Sequence, residues 1–258
     1  VPDEFITAER TEEGVIQIIE ELLLSLDVEA PVKDVRVGLF HTGVVTRNCG
    51  LAATLPRDVL KQGRPAIREP GFLLNKNALE LAGMARSQNL LEAVIGMATI
   101  NSLLEINERC CQELNARDLI AEKGRDRKVA IVGHFPFIPD LRKAVPELWV
   151  IEKNPAEGDL AEAEAANVIP RADVVGITGT AFTNHTIEQL LDSCRPGSYV
   201  VILGDSAPLS PILFDHRIDA VSGTKVIDPE LALRCVSQGA NYRQIRGIRQ
   251  LTMVRNKR

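Results

Sequence analysis

Residues 128–141 read KVAIVGHFPFIPDL, a continuous apolar run, one glycine, and then a turn carrying His134, Phe135 and Phe137. Three more runs follow the same pattern, 148–151, 174–178 and 199–203, and they end in the turns EKNP, GTAFTNHT and GDSAPLSP. Val/Ile/Leu runs of about four to six residues, spaced by helix-length segments, are typical of strands buried on both faces of a parallel sheet. Open α/β sheets bind ligands beyond the carboxyl ends of their strands. All four turns are therefore expected on one edge, and that edge is the expected ligand site.

Working upstream, residues 11–26 suit an amphipathic helix. Val15, Ile18, Ile19, Leu22, Leu23 and Leu26 recur at helical spacing, while Glu12, Glu13, Glu20 and Glu21 supply a wet face. Val35, Val37 and Leu39 alternate with Arg36, Gly38 and Phe40, which predicts a half-buried strand with antiparallel neighbours at 44–47 and 51–54. Residues 56–70, with Arg57, Lys61, Arg64 and Arg68, read as an exposed loop, a phosphate-facing role being the alternative. Two helices are predicted next, 76–86 and 89–107. The second is apolar on nearly every face and must be buried, and Gly96, Ala98 and Thr99 would let another backbone approach it. The charged segment 113–128 sets the expected boundary between an α+β domain, 1–112, and an α/β domain, 113–258.

Composition narrows the function classes. A formal charge of −5 gives no basic footprint for nucleic acid, and an acidic small substrate would need a local positive field. The five cysteines, Cys49, Cys110, Cys111, Cys194 and Cys235, form no C-x-x-C pair and read as reduced thiols. The first residues, VPDEFITAERTEEG, lack an apolar core, and no stretch approaches the ~20 apolar residues of a membrane span, so a cytoplasmic location is expected. After Glu230 the chain is basic without acidic side chains; a solvated tail with a final strand is the plain reading and RNA contact the alternative.

The turns carry the candidate chemistry. A dinucleotide fold would show G-x-G-x-x-G after its first strand, but only Gly133 is present, which disfavours an ordinary NAD site. His134 follows the strand end, where an imidazole can act as acid, base or ligand, and Phe135 and Phe137 can form a flat apolar wall; a loop hydrogen bond and two core aromatics are the alternative. Glu152 lies 19 residues after Gly133, near the offset of a ribose-binding carboxylate, with pairing to Lys153 as the alternative. In the third turn Gly179 permits a sharp or left-handed turn, Thr180 and Thr183 offer hydroxyls, and Asn184 offers donor and acceptor, although Thr183 or Asn184 could simply cap a helix at 187–192. His185 is expected in the first helical turn, on the surface. In the fourth turn Asp205 could bind a ligand hydroxyl, an amine or a metal, or make turn hydrogen bonds with Ser206. Lys225, in SGTKVIDP, is read as a surface charge. The four histidines and five cysteines are too scattered for a local metal motif, and no nucleophile elbow, phosphate loop or zinc helix is present.

Taken in order, SQNLLEAVIGMATINSL, GHFPFIPDL, VIEKNP, DVVGITGTAFTNHTIEQLL, LGDSAPLSP and GTKVID resemble the "putative heavy-metal chelation" family, first defined as a domain of unknown function. The resemblance spans most of the chain. It implies a smaller α+β domain like the N-terminal domain of enolase, followed by a Rossmann-like α/β domain, with a site where the two meet. The enolase likeness carries over no enolase catalytic residue. The positions matching the family are Gly133, His134, Phe135 and Pro136 in the first turn, Thr178, Gly179, Thr180, Asn184 and Thr186 in the third, and Gly204 in the fourth. Asp205 and Ser206 stand where relatives are expected to have a glycine–proline-like turn.

The expected function is binding of a small polar ligand in the interdomain cleft, by a protein that handles or synthesises a heavy-metal chelator or metal chelate. His134 and Asn184 are the expected catalytic pair, and Gly133, Phe135, Pro136, Glu152, Thr178, Gly179, Thr180, Thr186, Gly204, Asp205 and Ser206 the expected ligand contacts. Acid/base or transfer chemistry is the leading reading, and a non-catalytic metal- or ligand-binding protein the alternative. No cofactor or metal is assigned. The expected partner is a small molecule such as a metal chelate, with no nucleic acid or membrane; self-association is left open.

Overall fold

In this computed structural model the described residues are 17–26, 29–62 and 67–255. Helix α1, Gln17–Leu24, buries Ile18, Ile19 and Leu22, as its spacing requires; the part of that expectation before residue 17 lies outside the described residues. Strands β1 (Asp34–Val37), β2 (His41–Val45) and β3 (Cys49–Ala53) form an antiparallel meander in that order. The loop expected at 56–70 opens instead with a short helix, α2, Pro56–Lys61, where a proline in the first turn loses no hydrogen bond. Arg68 is tied down by Glu92, which accepts from its backbone N at 2.8 Å and its Nε at 3.0 Å.

The helix expected at 76–86 is α3, Ala78–Ala82, started by an Asn77–Glu80 capping box and continued by a 3₁₀ turn, Gly83–Arg86. The one expected at 89–107 is α4, Leu90–Leu103, which begins where the Asn89 side chain accepts from the N–H groups of Leu91 and Glu92. Eleven of its 14 residues are buried. The close approach foreseen at Gly96 is to Ala85, whose backbone N would lie 2.0 Å from an added Cβ.

The rest of the chain runs through β4 (Cys111–Gln112), α5 (Ala116–Lys123), β5 (Lys128–Val132), α6 (Ile138–Ala144), β6 (Glu147–Glu152), β7 (Leu160–Ala161), α7 (Ala165–Val168), β8 (Val174–Thr178), α8 (Thr180–Thr183), α9 (Ile187–Ser193), β9 (Tyr199–Leu203), β10 (Ala220–Val226), α10 (Pro229–Ser237) and β11 (Ile248–Val254). These strands build one sheet in the order β4-β11-β10-β9-β8-β5-β6-β7. All neighbours from β10 to β7 are parallel, while β11 is antiparallel to both β10 and β4. The four apolar runs are thus β5, β6, β8 and β9, side by side. From β5 the chain first winds outward through β6 and β7, then returns to β8 on the other side, so the order reverses between β5 and β8.

Side chains alternate between the two faces of this sheet. Val129, Ile131, Val150, Val174 and Val201 pack with Leu119, Ile120, Ile138 and Leu141 of α5 and α6. Ala130, Ile151, Val175, Ile177, Val200 and Ile202 face the other way, into a cluster with Phe182, Ile187, Val94, Ile95, Ile18 and Leu22. This second cluster is continuous from the large sheet into the small one. The meander is also more buried than its alternation predicts, with β2 and β3 each buried at four successive positions. The reason is a second cover: Cys49 and Leu51 pack against Ala232, Leu233 and Val236 of α10, which the C-terminal half supplies. β4, placed by sequence in the first domain, pairs with β11 of the large sheet.

Candidate functional site

A cavity of about 230 Å³ lies at the carboxyl ends of β5, β6 and β8, at the reversal of strand order. This is where an open α/β sheet leaves a crevice for a ligand. Val132, Gly133, His134 and Phe135 line it from β5 and its turn, Ile151 to Lys153 from β6, and Thr178, Thr180, Asn184 and Thr186 from the third turn. Leu55 and Asp58 close it from the side of the small sheet. The first and third turns therefore share one edge and face the N-terminal half.

Gly133 has φ of +104°, a conformation that a side chain would strain, and this bend turns His134 off the strand end. His134 is then held twice. Its backbone N donates to Glu152 Oε2 at 2.9 Å, and its Nδ1 lies 2.6 Å from Asp159 Oδ2. The Asp159 side chain is only 1% exposed, whereas that of His134 is 40% exposed. A buried carboxylate on one imidazole nitrogen fixes the orientation of the ring, leaving the other nitrogen for proton transfer. Nε2 of His134 makes no hydrogen bond to the described residues.

Glu152 lines the cavity, and its carboxylate is held by backbone donors of two loops. Oε2 accepts from His134 N and Oε1 from the backbone N atoms of Lys153 and Asn154, at 2.8 and 3.4 Å, so the carboxylate ties the first turn to its own loop. The Lys153 ammonium instead approaches Glu162, at 3.9 Å, and Asn184. With its amide oriented to satisfy both ends, Asn184 accepts from Lys153 Nζ at 3.2 Å and donates to Thr186 Oγ1 at 2.7 Å and Ala181 O at 3.2 Å. Thr178 and Thr180 hydroxyls are 3.1 Å apart on the same wall. Lys61 of α2 donates to Asn154 across the mouth at 3.2 Å.

The capping expectation at Thr183 or Asn184 is corrected. Thr180–Thr183 is itself a helical turn, and α9 starts after Thr186, which makes no side-chain cap. His185 adopts φ of +57° and its Nε2 lies 2.8 Å from Ala85 O, so it bridges to the N-terminal half instead of sitting on a helix surface. Gly179 is not left-handed either, with φ of −60°. It is small because an added Cβ would lie 2.4 Å from the backbone N of Ala207, in the turn after β9.

That fourth turn lies outside the cavity lining, as do Gly179 and Pro136. Gly204 provides a positive φ of +115°. Asp205 Oδ2 lies 2.7 Å from His41 Nε2, both side chains nearly buried, and Ser206 Oγ accepts from Ala53 N at 2.9 Å. These residues fasten the large sheet to the small one. Burial alone would lower the His41 pKa, but the Asp205 hydrogen bond and charge, helped by the Ala240 carbonyl, outweigh it and raise the value above that of an ordinary histidine.

Sequence reading missed Asp159, Lys153, Leu55 and Asp58. Asp159 sits in an acidic, alanine-rich connection with no periodicity, and its partner is 25 residues away. Lys153 lay within the quoted EKNP turn, and a cation at a parallel strand end was the signal available for it.

The donors among the described residues do not fit a resident heavy metal. Among the described residues no three His, Cys, Asp or Glu side chains converge as ligands. All five thiols are free; burial pushes Cys49 up to about 12 and Cys194 up to about 11, away from the thiolate that a soft metal requires. No helix among the described residues is long and apolar enough to cross a membrane.

Fold and cavity together define an α/β protein with a mostly parallel sheet, whose strand-end crevice is closed on one side by the start of α2 from the N-terminal half. The chain belongs to the family described as "Putative heavy-metal chelation": the DUF364 model of that description matches residues 115–255, and a second, DUF4213, with the same description matches residues 19–104. An uncharacterised protein of Methanocaldococcus jannaschii is 30% identical over 193 residues, covering 71% of this chain and 72% of its own. The crystal structure of a DUF364 protein of unknown function from Desulfitobacterium hafniense superposes with a TM-score of 0.81 at 25% identity, covering 93% of this chain and 98% of that one. Another of the family, from Pyrococcus horikoshii, shares the fold with a TM-score of 0.79 at 22% identity, covering 92% and 98%.

Proposed function

We propose that the chain binds a small, polar, carboxylate-bearing molecule in the cleft between the two sheets and performs acid/base or transfer chemistry on it, as a step in handling or making a metal chelator. The observation that carries this is the His134–Asp159 pair, 2.6 Å apart, with His134 on the cavity wall. Lys153 is the one lysine or arginine among the lining residues, beside the carboxylates of Asp58, Glu152 and Glu162, and it would take an acidic ligand's carboxylate by direct contact and not through a general positive field. The threonine hydroxyls and Asn184 offer neutral hydrogen bonds for orientation, and Phe135, Ile151 and Leu55 an apolar wall. The metal of the family description enters as cargo of the ligand, since the described residues offer no closed donor set. The reading takes residues 1–112 and 113–258 as an enolase N-terminal-like and a Rossmann-like domain meeting at this cleft, in a cytoplasmic protein.

The test begins with a thermal-shift screen of amino-acid derivatives, polycarboxylates, nucleotides and their metal complexes. Binding of the best hit is then compared between wild type, His134→Ala, Lys153→Met and Asn184→Ser, with denaturant midpoints as the folding control. Loss of a charge-assisted hydrogen bond should weaken binding by about 1.5–3 kcal/mol, roughly 10- to 150-fold. Variants that unfold early yet bind normally would assign these residues to the scaffold. Ligand binding with no turnover in any metal complex would favour the non-catalytic alternative.

A further inference from the structure

A second cavity, of about 320 Å³, opens on the same sheet edge beyond β10. β10 is parallel to β9, so Thr224 and Lys225 stand at a carboxyl strand end like the turns of the first cleft. The opposite walls come from the N-terminal half: Arg47 and Asn48 between β2 and β3, Asn101 in α4, and Glu105 just after it.

Three features of this cavity ask for a ligand of one kind. Asn101 Nδ2 donates to Leu51 O at 3.0 Å and lies 3.5 Å from Asp205 O, which fixes the amide orientation. Its Oδ1 is consequently an acceptor, and it is buried with no partner among the described residues. Such an atom calls for a hydroxyl or amine donor. Arg47 and Lys225 add two cations. Each is held by a carboxylate at the rim, Arg47 by Glu105 and Lys225 by Glu108, and Glu105 is 76% exposed. Solvent-exposed pairs of this sort contribute little and are readily exchanged.

We propose that this cavity is a separate binding site for a small hydroxydicarboxylate, one carboxylate taken by Arg47, the other by Lys225, and the hydroxyl donating to Asn101 Oδ1. The site uses no residue of the first cleft and does not depend on the function assigned there.

The experiment is calorimetric titration of the full chain with malate and with succinate, which lacks the hydroxyl. Saturable malate binding is expected, with succinate weaker by about tenfold. Arg47→Met and Lys225→Met should each weaken malate by about tenfold or more, whereas Glu105→Gln, which frees Arg47, should tighten it. Asn101→Ala, if its denaturant midpoint confirms folding, should abolish the preference for malate over succinate; if it does not fold, the malate–succinate comparison on wild type still decides the hydroxyl contact. His134→Ala should leave malate affinity unchanged. Absence of saturable malate binding, equal affinity for succinate, indifference to both rim variants, or loss on His134→Ala would overturn the proposal. So would inorganic phosphate binding in place of malate.

Discussion

A carboxylate in a nearly dry position such as that of Asp159 is costly unless its charge is compensated. Its partners are the His134 imidazole and the backbone N–H of Ala156, at 3.1 Å, with Arg142 4.0 Å from its second oxygen. Asp159→Asn keeps the shape and removes the charge. It should reduce turnover of the cleft's ligand by about tenfold or more, while His134→Gln, lacking a ring to orient, should gain nothing from the intact Asp159; single-turnover rates of the three proteins check this. His41 gives the second residue-scale expectation. Its folded pKa is raised above the ordinary 6.5, so its stabilising effect is fully present below that value and is lost as pH rises through the folded pKa. The difference in denaturant midpoint between wild type and His41→Gln should therefore be larger at pH 6 than at pH 9, and a constant difference would refute it. His134 was legible in sequence because it follows an apolar run directly. Asp159 and the His41–Asp205 pair were not, because both contacts are made only when distant segments meet.

Among the elements, the four central strands could be read from sequence because burial on both faces leaves a continuous apolar signature that no half-exposed strand shares. The two-residue edge strands β4 and β7 and the short helix α2 carry too few residues to display any period, and tertiary contacts determine them. The third turn shows how an element can be located correctly and explained wrongly: Gly179 marks a point where two turns touch, not a left-handed bend. Gly179→Ala should force the 204–207 turn away and destabilise the fold by about 1–3 kcal/mol, as should Gly96→Ala against Ala85. Chemical denaturation checks both. Of the two, Gly179→Ala should also disturb ligand binding, because Thr178 and Thr180 flank it on the cavity wall.

For the molecule as a whole, one apolar cluster runs from α1 and α4 into β8 and β9, and α10 returns to cover the small sheet. The halves matched by the two family models are thus packed as one body, and unfolding is expected as a single transition, with calorimetric and van't Hoff enthalpies equal. Two separated transitions would show that the core divides. This whole-molecule interlock was invisible in the sequence, where the charged stretch at 113–128 reads as a seam. What the sequence did disclose was that α4 has no polar face, and that fact bears on how the chain is made. As the polypeptide leaves the ribosome, α4 and the meander emerge before α8, β8, β9 and α10, so the apolar surface that those later segments will cover stays uncovered until synthesis is well advanced. A nascent chain halted before residue 170 should consequently be retained by chaperones or aggregate, whereas one long enough to expose β11, which joins β10 to β4, should be released in a protease-resistant form.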